Sequence, residues 1–294
     1  MLGAIMSDFD FSPVQLAALA QSDARRALDE DVGGGDLTAA LVDPARSAHA
    51  RVLAREAAVI CGAPWAQAAV LALDPAATLQ WHVAEGQRCE ADQVVLEIQG
   101  QAQALLTAER TCLNFLQLLS AVATKTATYV QAVQSVPGNQ ARIVDTRKTL
   151  PGLRLAQKYA VRTGGGTNHR IGLFDAVLIK ENHIAAAGGV TAALQRVSAL
   201  AKSAKFIEIE VETLVQLDEA LAAGAQMVLL DNMSLDQLRQ AVQINAGRAV
   251  LEVSGGVSMA TVRDIAATGV DRISIGALTK DVQAVDFSMR FDNV

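Results

Sequence analysis

The sequence predicts an α/β fold whose second half is a parallel, barrel-like sheet. Three observations carry this. From residue 141 onward, short β-rich runs alternate with amphipathic helical stretches. Several of these runs end in charged or polar residues. The last two end in glycine turns, Ser254-Gly255-Gly256 and Gly276-Ala277.

The first 140 residues are mixed in pattern. Residues 14–30 and 64–73 have helical periodicity, and 49–60 (HARVLAREAAVI) reads as a strand. Residues 78–106 alternate as several short strands with a turn at Glu85-Gly86. A long helix is predicted from about Ala108 to Val133, with Leu113, Leu116, Leu119 and Val122 on one face. Pro137-Gly138-Asn139 closes it. A boundary therefore falls near residue 140. Six strand candidates follow: ARIVDT (141–146), DAVLIK (175–180), KFIEIEVE (205–212), QMVLLDN (226–232), AVLEVSGG (249–256) and RISIGA (272–277). Helices are predicted between them at 213–223, 234–244 and 258–267, the last with Ser258 as N-cap. Strand then helix, repeated, makes βα units and a parallel sheet. Six units at roughly 20–30 residue spacing favour a closed or nearly closed barrel. The alternative is a doubly wound sheet, and the first turn lacks its GxGxxG fingerprint.

Composition excludes several classes. The chain has 294 residues, 51% hydrophobic and 19% charged, enough for a sizeable core and too apolar for disorder. Only 4% are aromatic and the net charge is −6, which argues against a nucleic-acid surface. No apolar run approaches the roughly 18 residues of a membrane helix. The opening MLGAIMSDFDF has no basic start and carries two aspartates, a poor signal peptide. Cys61, Cys89 and Cys112 are far apart and odd in number, which suits a reducing compartment. A cytoplasmic protein is expected.

Strands of a parallel sheet are buried on both faces and should be apolar throughout. Here Ile207, Ile209 and Val211 share one face while Glu208, Glu210 and Glu212 share the other. In a barrel those carboxylates point inward and need cations or donors to meet them. The competing explanation is an antiparallel edge strand with one wet face. Asp145 and Arg147, Lys180, and Asp231-Asn232 lie at the ends of other strands, and Glu252 and Ser254 share a face. One such residue is explained as a helix cap; four strands ending this way point to the catalytic rim of a barrel. Glycines after the last two strands allow backbone N–H groups to approach a phosphate.

Charge adds a separate clue. Residues 142–180 hold eight Lys/Arg against two acids, in a chain that is acidic overall. A solvated basic face is the bland explanation. The run Gly164-Gly165-Gly166-Thr167-Asn168-His169-Arg170 reads instead as a loop, and a basic loop over a barrel mouth suits a substrate with several negative charges.

Eight segments, in order along almost the whole chain, resemble the quinolinate phosphoribosyltransferase family. They are ALDEDVGGGDLT (27–38), ERTCLNFLQLLSAVAT (109–124), DTRKTLPGLR (145–154), KYAVRTGGGTNHRIGLFDAVLIKENH (158–183), EIEVET (208–213), LLDN (229–232), VSGGV (253–257) and ISIGALTK (273–280). The TRKT and GGGTNHR stretches are the specific ones. The resemblance implies a type II phosphoribosyltransferase: an N-terminal α/β sandwich over 1–120, then an incomplete, seven-stranded β/α barrel over 121–280. The tail from about 281 to 294 is then expected to return to the first domain. It also implies a homodimer whose site takes residues from both chains. The implied reaction joins quinolinate to phosphoribosyl pyrophosphate with Mg²⁺, giving nicotinate mononucleotide, pyrophosphate and CO₂ in NAD biosynthesis.

Roles follow from the same resemblance. Thr146, Arg147, His169, Arg170 and Lys180 are expected around the quinolinate dianion, joined by Arg110 from the neighbouring subunit. Lys148, Glu210, Asp231, Ser254, Gly255, Gly256, Ile275, Gly276, Ala277 and Lys280 are expected around phosphoribosyl pyrophosphate. Lys148, Lys180, Glu210 and Asp231 are the expected catalytic set, with Glu210 and Asp231 also the Mg²⁺ candidates. Lys280 stands where many relatives have His, keeping a cation but losing an imidazole. Cys112 is read as core, and Glu208, Glu212 and Glu252 as charge balance only. Other functions weighed are a relative that takes nicotinate and a barrel that binds phosphorylated sugars without catalysis. The acidic pair before a Thr-Gly turn expected of a type I phosphoribosyltransferase is not found.

Overall fold

The computed structural model describes residues 9–200 and 204–292. The opening MLGAIMSD, read above as no signal peptide, lies outside them. The chain forms two compact units. Unit 1 comprises Met1–Lys125, Leu150–Gly165 and Asp281–Val294; unit 2 comprises Thr126–Thr149 and Gly166–Lys280.

Unit 1 begins with α1 (Pro13–Val32), which starts at a proline, as the first helical turn permits. A short 3₁₀ turn (Ala39–Leu41) leads into β1 (Ser47–Ala54) and β2 (Ala58–Val59). One strand was expected here; a bend at Arg55-Glu56 divides it. Then come α2 (Ala63–Leu73), β3 (Thr78–Trp81), β4 (Arg88–Cys89) and β5 (Val94–Gln101). The helix α3 (Ala102–Gln134) starts directly after β5, six residues earlier than expected. Ala102, Leu105 and Ala108 are buried at helical spacing, so the alternation read over 102–106 was a helix face. The division between units falls within α3. Trp65, fully buried, donates its indole N–H to Asp23 at 3.0 Å and packs against Tyr159 with the rings tilted at 45°. All three cysteines are free and buried. Burial lifts the Cys112 thiol to about 12, which keeps it inert as part of the core.

Unit 2 carries β6 (Arg142–Val144), after which the chain visits unit 1 as α4 (Arg154–Thr163). It continues through β7 (Val177–Ile179), α5 (Glu181–Ala187), α6 (Val190–Leu200), β8 (Ile207–Val211) and α7 (Leu214–Ala222). The last units are β9 (Met227–Asp231), α8 (Leu235–Asn245), β10 (Val250–Ser254), α9 (Val262–Ala266), β11 (Arg272–Ser274) and α10 (Ala277–Lys280). Thr213 and Ser234 cap α7 and α8 by accepting from Gln216 and Gln237 backbone N–H groups. Ser258 is not the cap of α9; it opens a turn, and Thr261 takes the cap position. The chain ends in β12 (Phe287–Asp292), antiparallel to β1 in the unit 1 sheet of order β12-β1-β5-β3.

The unit 2 sheet has the order β6-β11-β10-β9-β8-β7, with every pair parallel. The seventh position is a single parallel bridge between Val144 and Thr167. Six flat strands at about 4.8 Å spacing would hold their edges about 24 Å apart. Instead Thr146, just past β6, and Leu178 of β7 line one cavity of about 160 Å³. The sheet is therefore curled into an open barrel. β8 lies between β7 and β9 in parallel register, which removes the edge-strand alternative.

Candidate active site

The barrel's inward parity puts charge where such folds usually pack aliphatic side chains. Leu178 pairs with Glu208, Glu210 with Leu229, and Glu252 with both Leu229 and Arg272. Thr146, Arg147, Lys148, His169, Arg170, Lys180, Glu210 and Ser254 surround the same cavity, together with Glu252 and Ser274. Eight of the residues expected from sequence are thus brought together. Larger hollows in unit 1, of about 620 and 740 Å³, have no comparable ring of cations. Convergent charge, not size, marks the candidate site.

Local structure sets each side chain. Lys180 is the N-cap of α5; its backbone is extended and its N–H donates to His183 Nδ1 at 3.0 Å. Its Nζ then reaches Glu210 Oε2 on the neighbouring strand at 3.1 Å. Burial raises the Glu210 carboxyl, Lys180 lowers it, and the charge of Asp231 raises it again. Asp231 ends β9 opposite Ser254 and accepts from Asn232 Nδ2 at 2.7 Å. Arg170 is buried, and burial followed by the charge of Arg147 lowers its guanidinium. Two guanidiniums that repel one another in a small cavity make a site for an anion.

The glycine turns are built for close approach. Gly255 has φ +95°, and a Cβ there would meet Asn232, whose backbone N lies 3.1 Å away. A Cβ on Gly276 would sit 2.8 Å from Lys148 Cδ and 3.6 Å from Thr146 Oγ1. Gly276 therefore lies against the Thr146–Lys148 turn, which Thr279 Oγ1 also holds by donating to the Lys148 carbonyl at 2.8 Å. Ile275 N–H donates to the Val144 carbonyl at 2.9 Å, which ties this turn to β6. A Cβ on Gly256 would meet only open space, and Ala277 begins α10. Lys280, at the end of α10, is exposed and does not line the cavity. Arg110 is exposed on α3 in unit 1.

Two expectations change. The basic stretch is not one loop: Arg154, Lys158 and Arg162 are on α4 of unit 1, and Lys158 is fully buried. Its helical period was masked by the flanking glycines. His169, expected as a cationic donor, is held otherwise. The Arg170 backbone N–H donates to His169 Nδ1 at 2.8 Å. A backbone N–H only donates, so the ring proton is on Nε2, which points at Glu208 Oε2, also at 2.8 Å. The imidazole is neutral, and its Nε2–H is directed into the barrel.

Sequence reasoning gave Glu208 and Glu252 no role beyond charge balance, passed over Arg272, and placed Asp145 at the rim without a partner. Both glutamates are fully buried. Burial is the main reason their carboxyls are raised, with the charge of Glu208 adding to it for Glu252; Arg272 opposes it for both, and Arg170 also for Glu208. Arg272 Nε lies 2.7 Å from Glu252 Oε2. His169, Glu208 and Glu252 present ligating atoms close together, but at hydrogen-bonding separation and beside two guanidiniums, which is no setting for a cation. Asp145, also fully buried, accepts from the His169 N–H at 2.8 Å and from Asn168 Nδ2 at 2.6 Å, pinning the loop that carries His169 and Arg170. The register of Glu252 with Arg272 was the available signal, hidden until the strands were aligned.

Comparison with known proteins identifies the family and the fold. Two family profiles match in order: quinolinate phosphoribosyl transferase, N-terminal domain, over 36–120, and its C-terminal domain over 122–290. The chain is 42% identical over 295 residues to nicotinate-nucleotide pyrophosphorylase (carboxylating) of Mycobacterium leprae, covering 97% of this chain and 99% of the relative. It is 38% identical to quinolinate phosphoribosyltransferase (decarboxylating) 1b of Nicotiana tabacum, covering 90% and 80%. A solved nicotinate-nucleotide pyrophosphorylase of Francisella tularensis superposes with a TM-score of 0.90 at 42% identity, over 94% of this chain and 97% of that one. The chain belongs to the quinolinate phosphoribosyltransferase family.

Proposed function

We infer that this chain carries out its family's reaction. The phosphoribosyl group of phosphoribosyl pyrophosphate passes to the ring nitrogen of quinolinate, with loss of CO₂, yielding nicotinate mononucleotide and pyrophosphate for NAD biosynthesis. One observation carries this reading: Arg147, Arg170 and Lys180 converge on a cavity that also holds Glu210 and Ser254.

Quinolinate has two carboxylates on adjacent ring carbons. Two guanidiniums and an ammonium match that dianion, and arginine binds carboxylates in a forked pair. Held there, the ring nitrogen is presented to the sugar C1. Glu210 and Asp231 face the ribose hydroxyls and steady the positive charge that develops on the sugar. Lys148 and Lys280 take the pyrophosphate, and the Ser254–Gly256 and Ile275–Ala277 turns take the 5′-phosphate. Once alkylated, the ring nitrogen is positive and stabilises the carbanion left by CO₂, and a proton from water then completes the C–H bond of nicotinate mononucleotide. Positioning and charge do the work, so no side-chain nucleophile is required.

Mg²⁺ fits this donor set. Glu210 and Asp231 are hard oxygen ligands whose charges repel, a repulsion a cation relieves. When bound, the ion neutralises charge on the pyrophosphate. Arg110 is assigned to quinolinate across a homodimer, in keeping with its exposure on α3. Three buried free cysteines support a reducing, cytoplasmic setting, and no helix among the described residues is long and apolar enough to cross a membrane.

The test is incubation with phosphoribosyl pyrophosphate, Mg²⁺ and either quinolinate or nicotinate. CO₂ and mononucleotide released in equal amounts from quinolinate are expected. Mononucleotide from nicotinate alone, or substrate binding with no pyrophosphate release, overturns the assignment.

A further inference from the structure

The geometry points to Glu208 as a positioning residue for the pyridine dicarboxylate: from beneath the cavity it fixes His169, and through His169 the Arg170 main chain. The inference rests on the quinolinate reading given above.

Four observations build it. Glu208 is fully buried on the inward face of β8, where a carboxylate is costly to keep. Its Oε2 takes the Nε2–H of His169 at 2.8 Å. The opposite ring nitrogen takes the Arg170 N–H at 2.8 Å, so the imidazole is clamped at both ends in one tautomer. Glu252 cannot substitute. Its nearer oxygen is 3.5 Å from His169 Nε2, and its other oxygen is engaged by Arg272 at 2.7 Å.

The clamp explains why a neutral histidine sits among cations. A rotated or protonated ring would no longer accept from the Arg170 N–H, leaving the Arg170 side chain only its 3.4 Å bond from Nη1 to the Ala176 carbonyl to fix it. Arg170 lines the cavity; Glu208 does not, and reaches it through His169. Its role is to hold Arg170 and His169 ready for one substrate and not the other. The acceptor oxygen is what matters. Glutamine offers the same oxygen to Nε2–H, and an isosteric apolar side chain does not.

Three measurements test this on the full-length protein. Nitrogen-15 NMR of histidine-labelled wild type should show His169 neutral and protonated on Nε2; a proton on Nδ1, or a charged ring at neutral pH, overturns the inference. Steady-state kinetics of Glu208→Met should show the KM for quinolinate raised about 10- to 100-fold, the effect of losing one buried hydrogen-bond partner, with the KM for phosphoribosyl pyrophosphate little changed. Glu208→Gln should restore the quinolinate KM to within about 3-fold of wild type. Equal loss for both substrates, or a glutamine variant as impaired as methionine, overturns it. If Glu208→Met does not fold, the tautomer and the glutamine kinetics still decide. A wild type that releases no CO₂ from quinolinate would instead sink the functional reading, and the tautomer measurement would stand apart from it.

Discussion

Lys180 Nζ lies 3.1 Å from Glu210 Oε2, so a residue assigned to the dianion touches one assigned to the sugar. The two are neighbours because β7 and β8 run in register, Leu178 beside Glu208 and Ile179 beside Ile209. On the proposed assignment, Glu210 holds a cation that the incoming carboxylate takes over. Replacing Glu210 by Gln frees Lys180 for the anion. Quinolinate alone should then bind several-fold more tightly by calorimetry, while turnover falls at least about 100-fold for loss of charge stabilisation at the sugar. Weaker quinolinate binding in Glu210→Gln would contradict the pairing.

The two glycine turns should respond differently to alanine. At Gly276 the new Cβ meets the flexible Lys148 chain at 2.8 Å, which can swing aside. Gly276→Ala should fold normally and raise the KM for phosphoribosyl pyrophosphate, leaving quinolinate binding near wild type. At Gly255 the backbone is left-handed, at φ +95°, and the Cβ runs into Asn232. Gly255→Ala should cost about 1–3 kcal/mol of stability, read as a lowered Tm.

Burial lifts the Glu252 carboxyl from 4.5 to about 7. Between those values the folded chain keeps a proton that the unfolded chain has released. The associated stability is full below pH 4.5 and is lost as pH rises through about 7. Glu252→Gln removes this dependence. The stability of wild type relative to the variant should fall by roughly 2 kcal/mol from pH 5 to pH 8, measured by urea unfolding. A rise over that range would show that the Arg272 pairing outweighs burial.

The barrel was legible because its signal is local. Alternating strands and helices, and the parity of Ile207, Ile209 and Val211 against Glu208 and Glu210, are visible in any short window. Lys180, Glu210 and Ser254 stand out for the same reason: polar residues at the ends of apolar runs. What stayed hidden depends on distance in sequence. Glu252 meets Arg272 only once two strands are in register, and a one-residue slip of either would turn its side chain to the other face. The tautomer of His169 is set by a backbone N–H and a carboxylate 39 residues away, neither of which leaves a mark in the local pattern. The start of α3 was missed because Gln101-Ala102-Gln103-Ala104 satisfies a period of two as readily as a helix.

A shared site makes a distinct prediction. Chains carrying Arg110→Ala and chains carrying Arg170→Ala should each be nearly inactive alone. Unfolded together and refolded as mixed dimers, they should regain about a quarter of wild-type activity, since random pairing makes half the dimers mixed and each of those has one intact site. No recovery would confine each site to one chain.

A crystal structure of the protein with bound quinolinate is the most direct measurement. The two carboxylates should lie against Arg147, Arg170 and Lys180 in the unit 2 cavity, with the ring nitrogen turned toward Glu210 and Asp231. Quinolinate seated in a unit 1 hollow, or in the barrel with its carboxylates away from those three cations, would contradict the assignment.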